Sequence, residues 1–187
     1  MTSMDQLEQD LRYVRSAVEQ AGASPTPRLL CFLWAALGGV GFALVDLRDA
    51  WVPAYWAVAG PAGFVVSAVL GWRHARRLGQ GTARDGARHM LHWGGMLGAI
   101  ALAVLLPARG LVPASAAGPV ILLLLALGYF QAGVHLDPAF RWVGLLLATG
   151  YVLVLTMTTW GWLTLGVLFA LALVATGLRA GADGTGD

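Results

Sequence analysis

Six apolar segments, separated by short polar connections, constrain the fold of this chain more than any other feature of its sequence. Each segment is close in length to the ~20 apolar residues that a helix needs to cross the hydrocarbon core of a bilayer. The sequence therefore predicts an all-α integral membrane protein, a compact bundle of six transmembrane helices over residues 28–178. The predicted spans are residues 29–47, 51–72, 90–106, 118–136, 142–158 and 160–178.

The composition of the 187-residue chain favours membrane insertion, because 58% of its residues are hydrophobic and 12% are charged. Soluble domains carry about 25% charged residues, so a soluble fold of this chain would expose large apolar patches. The same hydrophobicity excludes intrinsic disorder. The last two spans are separated only by a turn at residues 158–161, which leaves a re-entrant hairpin as the alternative to two full crossings.

The basic residues predict the orientation of the chain. All twelve are arginines, and five lie between the second and third spans: Arg73, Arg76, Arg77, Arg84 and Arg88. Because positively charged loops stay in the cytoplasm, this connection is predicted to be cytoplasmic. Alternation of six spans then places both termini in the cytoplasm, with residues 179–187 as a flexible tail. We expect a multi-pass protein of a bacterial cytoplasmic (inner) membrane, and the charge is explained by orientation rather than by nucleic acid binding.

Residues 1–24 are predicted to form a cytoplasmic amphipathic helix and a proline-containing linker, because apolar residues recur at steps of three and four. Glu8 and Arg12 are spaced for an ion pair one helical turn apart. Acidic residues outnumber arginines in this helix, which favours a protein surface over anionic lipid, and a helix resting at the membrane interface is the alternative. The residues predicted to bind a protein partner or a second copy of the chain are Leu7, Leu11, Val14 and Val18 of the helix and Arg73, Arg76 and Arg77 of the arginine-rich loop.

Histidines at or near the predicted cytoplasmic face are candidates for a metal or haem site. His89 and His92 share a helix face if the helix of the third span starts early, and His135 lies close to Asp137. Imidazole and carboxylate groups are typical ligands of divalent metals, so His89, His92, His135 and Asp137 are metal-site candidates. His92 and His135 are candidates for the axial ligands of a haem. The favoured interpretation is a polar link in which one of these two rings bonds Gln131 or a backbone carbonyl, and no cofactor is predicted.

Signatures of catalysis and of ion coupling are missing from the sequence. No nucleophile elbow, P-loop or zinc-protease motif occurs, so no catalytic residue is assigned and the protein is predicted not to be an enzyme. No acidic residue or arginine falls in the middle of a predicted span, where ion-coupled transporters usually carry one. Asp46, at the outer end of the first span, is interpreted as part of a local ion pair with Arg48.

Small residues at helical spacing predict close approach of helices in the membrane. They form three stripes, which are Ala35, Gly39 and Ala43 in the first span, Gly94 and Gly98 in the third, and Gly166 and Ala170 in the sixth. Gly60 and Pro61 predict a kink near the middle of the second span, because proline removes a backbone hydrogen bond. A hinge at this kink is an additional hypothesis.

A short internal match hints at a duplication of three spans. The tripeptide Ala-Leu-Gly at residues 36–38 recurs at residues 126–128, and Asp46 and Trp51 have counterparts in Asp137 and Trp142. Two halves of three spans each are necessarily inverted relative to one another, an arrangement that many transporters use.

Three functional hypotheses follow from these patterns. The first is a non-enzymatic accessory, regulatory or sensor subunit that engages a partner through its cytoplasmic N-terminal helix and arginine-rich loop. The second is a small transporter or channel with inverted three-helix halves, for a neutral or weakly polar solute. The third is a haem- or metal-binding redox protein that uses the cytoplasmic-side histidines.

Overall fold

The computed structural model of the protein describes residues 6, 8–12, 26–77, 83–157 and 159–182. Within these ranges all regular secondary structure is helical, and two single-turn 3₁₀ helices, Asp49–Trp51 and Ala114–Ala116, precede long helices. The predicted all-α class is therefore confirmed. The long helices are α1 Arg28–Leu47, α2 Val52–Arg77, α3 Ala83–Ala108, α4 Ala117–His135, α5 Phe140–Thr156 and α6 Gly161–Ala182.

Five helical segments are long and apolar enough to cross a membrane, which indicates a membrane protein. They are Arg28–Leu47, Asp49–His74, Gly86–Ala108, Ala114–His135 and Gly161–Arg179. Helix α5 is also apolar but has only 17 residues. It is therefore about 25 Å long, which is shorter than the ~30 Å hydrocarbon core of a typical bilayer.

Part of the predicted N-terminal helix is described as well. Residues 8–12 are helical, and the Arg12 guanidinium donates to the Glu8 carboxylate over 2.7 Å, which confirms the ion pair predicted from their spacing. Of the residues predicted to bind a partner, Leu7, Val14 and Val18 lie outside the described residues.

Four of the six long helices form the core. Helix α1 packs most extensively on α6, and α4 packs on α5, which also contacts α6. Helix α2 lies along α1 and α3 lies along α4, so that these two helices flank the core. The largest fully buried side chains all belong to the four core helices: Cys31, Leu122, Val143, Leu147, Leu165 and Leu173.

The first and last helices approach each other where two of the predicted small-residue stripes meet. A Cβ atom on Gly39 would lie 3.3 Å from the Cβ of Ala170, and a Cβ on Gly166 would lie 2.9 Å from the carbonyl oxygen of Gly39. The predicted close packing is therefore confirmed for α1 and α6. It is not found on α3, where Gly94 and Gly98 have no packed neighbour within 4 Å among the described residues.

Replacing Gly166 with leucine is expected to lower the free energy of unfolding by about 1–3 kcal/mol, because a side chain there forces the backbones of α1 and α6 apart. The free energy is measured by SDS titration of the protein in mild detergent. Gly98→Leu is the matched control, since its new side chain meets open space. We expect the control to stay within about 0.5 kcal/mol of the native protein. Equal losses in the two variants would contradict the α1–α6 contact.

Candidate functional site

The predicted polar link between the third and fourth spans is present. His92, on α3, places its Nε2 atom 3.1 Å from the carbonyl oxygen of Gly128 on α4. Since a carbonyl oxygen only accepts, Nε2 carries the proton and donates it. This contact confirms the interpretation that His92 bonds a backbone carbonyl of the neighbouring helix.

The same contact bears on the metal and haem candidates. A protonated Nε2 that donates to Gly128 has no lone pair for a metal, so ligation through this atom would require the link to α4 to break. His135 is the exposed last residue of α4. In the part of the chain that the structure describes, no three His, Cys, Asp or Glu side chains form a group that could hold a metal ion. A metal or haem site at His89, His92, His135 or Asp137 stays a prediction.

Asp137 lies in the tight turn between α4 and α5, where its side chain is almost completely buried at 4% exposure. Its Oδ1 atom accepts the backbone N–H of Ala139 over 3.0 Å, immediately before α5 begins at Phe140. An aspartate in this position stabilises the start of a helix by satisfying an N–H that has no partner within the helix. The structure thus gives Asp137 a role in shaping the α4–α5 turn.

Asp46 has a different role from the one predicted. Its Oδ2 atom accepts the backbone N–H of Leu163, near the start of α6, over 2.8 Å. No ion pair between Asp46 and Arg48 is present among the described residues, since the Arg48 guanidinium donates to the carbonyl oxygen of Leu47. Asp46 therefore caps the last helix from the end of the first. Sequence reasoning missed this contact because 117 residues separate the two groups.

Aromatic rings connect the four core helices with α3. Edge-to-face contacts run from Trp93 to Tyr129 and Phe140, and on from Tyr129 to Phe169, with ring centroids 5.3–5.9 Å apart. Phe42 on α1 extends the series, because it contacts both Phe169 and Trp162 of α6. Rings at these separations contribute about 0.5–1.5 kcal/mol per pair beyond the area that they bury. No local pattern predicts this cluster, since its members come from five helices.

The arginine-bearing end of α2 is exposed. Arg73 and Arg76 face away from the other helices, and the Arg76 guanidinium lies 4.4 Å from the ring centroid of Trp72, itself 57% exposed. Neither arginine forms an ion pair within the described ranges. The side chain of Arg77 lies outside the described residues. Leu11 of the N-terminal helix is the predicted apolar contact residue that can be placed, and it is 61% exposed.

The candidate hinge lies within an uninterrupted helix. Helix α2 runs from Val52 to Arg77 with Pro61 inside it. Pro61 is exposed, and Gly60 has no packed neighbour within 4 Å among the described residues. Motion at Gly60 and Pro61 stays a prediction.

Comparisons with known proteins give no relative for this chain. No family model matches it, and neither the curated proteins nor the solved structures contain a match.

Replacing Asp46 with alanine is expected to cost about 1–2 kcal/mol of unfolding free energy, because the N–H of Leu163 loses its acceptor at the start of α6. Asp49→Ala is the matched control at the same end of the bundle, since the Asp49 carboxylate accepts only from the adjacent Ala50 N–H in the described structure. SDS titration measures both variants. A loss for Asp49→Ala as large as that for Asp46→Ala would show that charge at this end, rather than the cap, is what matters.

Proposed function

We propose that the protein crosses a bacterial inner membrane six times, with both termini in the cytoplasm. The five long apolar helices and the arginine-rich connection between α2 and α3 support this orientation. Helix α5 supplies the sixth crossing in this proposal. Its 17 residues are at the lower limit for a span. Its buried face between α4 and α6, which includes Val143 and Leu147, keeps it among the other helices rather than at the surface.

We infer that the protein acts as a non-enzymatic accessory, regulatory or sensor subunit that engages a protein partner at its cytoplasmic face. The observation that carries this proposal is the projecting arginine end of α2, where Arg73 and Arg76 form no ion pair with any residue that the structure describes. From the contact between Ser67 and Trp34, α2 continues for about ten residues to Arg77, whereas α1 has about six residues to Arg28. The last turn of α2 therefore extends roughly 6 Å past the end of α1.

The chemistry of this end favours an acidic protein surface as its target. Arg73 and Arg76 present guanidinium groups of the kind that form bidentate hydrogen bonds with carboxylates, and the Arg76 guanidinium lies over the Trp72 ring, a contact worth about 0.5–1 kcal/mol at an exposed site. The N-terminal helix adds an apolar contact, because Leu11 is exposed beside the Glu8–Arg12 ion pair. An apolar anchor flanked by oriented charges is the usual composition of a specific protein interface.

A photo-reactive amino acid placed at Leu11 is expected to form a discrete protein adduct in living cells. The charge reversals Arg73→Glu and Arg76→Glu together should reduce the adduct at least tenfold, because like charges then face the acidic partner. Deletion of residues 1–24 should abolish co-purification of the same partner while the remaining helices stay inserted.

Arg109→Glu is the matched control, because Arg109 is an exposed arginine at the predicted opposite end of the bundle. The adduct is identified by mass spectrometry, which also distinguishes a second copy of the chain from a different protein. Adducts with lipid alone, or an adduct that Arg73→Glu/Arg76→Glu leaves unchanged, would contradict the proposal.

A transporter or channel with inverted halves is the second candidate, and a correspondence between helix contacts favours it. If the first half is α1–α3 and the second is α4–α6, then α1 corresponds to α4, α2 to α5 and α3 to α6. Under this correspondence the contact of α1 with α6 matches that of α4 with α3, and the contact of α1 with α2 matches that of α4 with α5. Gly38 and Gly128, which end the repeated tripeptide, correspond in their contacts as well. Gly38 accommodates Phe169 of α6, and Gly128 accommodates Met96 of α3, so each faces the third helix of the other half.

A solute path would make buried positions between the halves reachable by water-soluble thiol reagents. In a background without Cys31, single cysteines replacing Phe42 of α1 or Phe169 of α6, buried residues that contact each other across the two halves, should react with such reagents if the second candidate is right, and should be inert in a closed subunit. Cysteines at Arg109 and Arg179 calibrate the assay, since the proposed topology predicts labelling from outside at Arg109 alone. Labelling of Arg179→Cys from outside would contradict the orientation.

A further inference from the structure

Helix α2 is attached to the bundle through contacts with α1 on both sides of Pro61. On the N-terminal side, the Tyr55 hydroxyl donates to the carbonyl oxygen of Leu37 over 2.8 Å. Close to Pro61, Gly63 lies against α1 so tightly that a Cβ there would be 2.8 Å from a methyl group of Leu37 and 3.2 Å from the Trp34 ring. The helix is thus held before its proline and in close contact just after it.

Beyond this close contact, few polar contacts join α2 to α1. The Trp34 indole Nε1–H donates to the Ser67 hydroxyl over 2.9 Å. In the part of the chain that the structure describes, this is the only side-chain hydrogen bond between α1 and the half of α2 that follows Pro61. After Ser67 one face of the helix is exposed, as Val69, Trp72 and Arg73 show. The opposite face is half-buried at Leu70, Gly71 and His74, and the Nε2 atom of His74 is buried.

The backbone is weakest at the boundary between these two halves. Proline has no N–H, so the carbonyl of Ala57 has no donor at position 61, and the ring crowds the preceding turn. Proline is among the established causes of helix kinks. Neither Gly60 nor the exposed Pro61 is braced by a neighbouring helix among the described residues. The unpacked positions are on the outer face of the helix, whereas Ala59 and Gly63 on the inner face are buried, so a bend here would pivot on the contact of Gly63 with α1.

We propose that the half of α2 from Pro61 to Arg77 is a hinged arm, and that the hydrogen bond from Trp34 to Ser67 is the latch that holds it against α1. The arm carries Arg73 and Arg76 at its tip, so its regulatory meaning rests on the proposed function. A partner that binds the tip more tightly when the latch is open shifts the arm to its open position, and the change reaches the bundle through Trp34.

The hydrogen bond from Trp34 to Ser67 is of a kind that can break and re-form. In either state the Ser67 hydroxyl can donate its own proton to the carbonyl of Gly63 one turn earlier, as serine commonly does in helices, so the group that loses its partner on opening is the indole N–H of Trp34. Hydrogen bonds between membrane helices are on average weak, because the separated groups find other partners. A bend of about 20° at Pro61 would displace Val69, about 12 Å further along the helix, by roughly 4 Å.

The arm is tested by electron-spin distance measurements on the full chain in lipid nanodiscs, with Cys31 replaced by alanine. One spin-label pair, Val69→Cys with Leu178→Cys, reports on the arm. A second pair, Val58→Cys with Leu168→Cys, reports on the half of α2 that precedes Pro61. All four positions are exposed, so the labels disturb no packing. The measurement needs no partner, so a failure of the arm is distinguished from a failure of partner binding.

Ser67→Ala is expected to shift or broaden the arm distance by roughly 4 Å and to leave the second pair unchanged. Trp34→Phe should have the same effect, Ser67→Thr should keep the native distance because it retains the hydroxyl, and Pro61→Ala added to Ser67→Ala should restore a narrow distribution. An unchanged arm distance in Ser67→Ala overturns the latch. Equal changes in both pairs overturn the hinge, because the whole helix would then have detached.

Discussion

The close approach of the first and last helices is the contact on which the rest of the bundle depends. Gly39 on α1 and Gly166 on α6 bring the two backbones together without intervening side chains. Asp46 then fixes the register of the pair by accepting the N–H of Leu163 at the start of α6. Helix α5 contacts α6, and α4 packs on α5. The α1–α6 contact therefore defines the position of every core helix.

Two kinds of contact hold the helices, and they divide the molecule into a core and two flanks. Lipid chains are as apolar as leucine, so helices in a membrane associate through close packing and hydrogen bonds rather than through the hydrophobic effect. The core uses close packing, with Gly144 of α5 fitted against the backbone of Phe130 on α4. The flanking helices depend more on polar links, such as Tyr55 to Leu37 for α2 and His92 to Gly128 for α3.

This division agrees with the position of the proposed arm, which lies on a flank. A side chain in the core is surrounded on every side, as Leu147 and Leu165 are, and has little freedom to report a binding event. Helix α2 has one packed face, a proline near its middle and a projecting charged end, which are the features of the proposed hinged arm. In the proposed arm, the core is the fixed reference for the motion of α2.

Some features of this protein follow from local sequence alone. The apolar segments, the Glu8–Arg12 ion pair and the small-residue stripes of α1 and α6 were predictable, because hydropathy, helical spacing and side-chain size act within one helix. The early start of α3 at Ala83 was missed, since polar residues at a helix end leave no apolar signal. The stripe at Gly94 and Gly98 shows the limit of such reasoning, because it names a surface suited to packing but not its neighbour.

Tertiary structure decided which groups meet. The sequence determined that His92 sits near a membrane boundary with a polar group to satisfy, and the packing of α3 on α4 selected the Gly128 carbonyl as its partner. It also placed Asp46 at the end of a span, where an ion pair with Arg48 was predicted. The pairing of α1 with α6 instead makes Asp46 the acceptor that caps the start of α6. The physical reason is the same in both cases. A buried or interfacial polar group must find a partner, and where that partner lies depends on helix pairs that are distant in the chain.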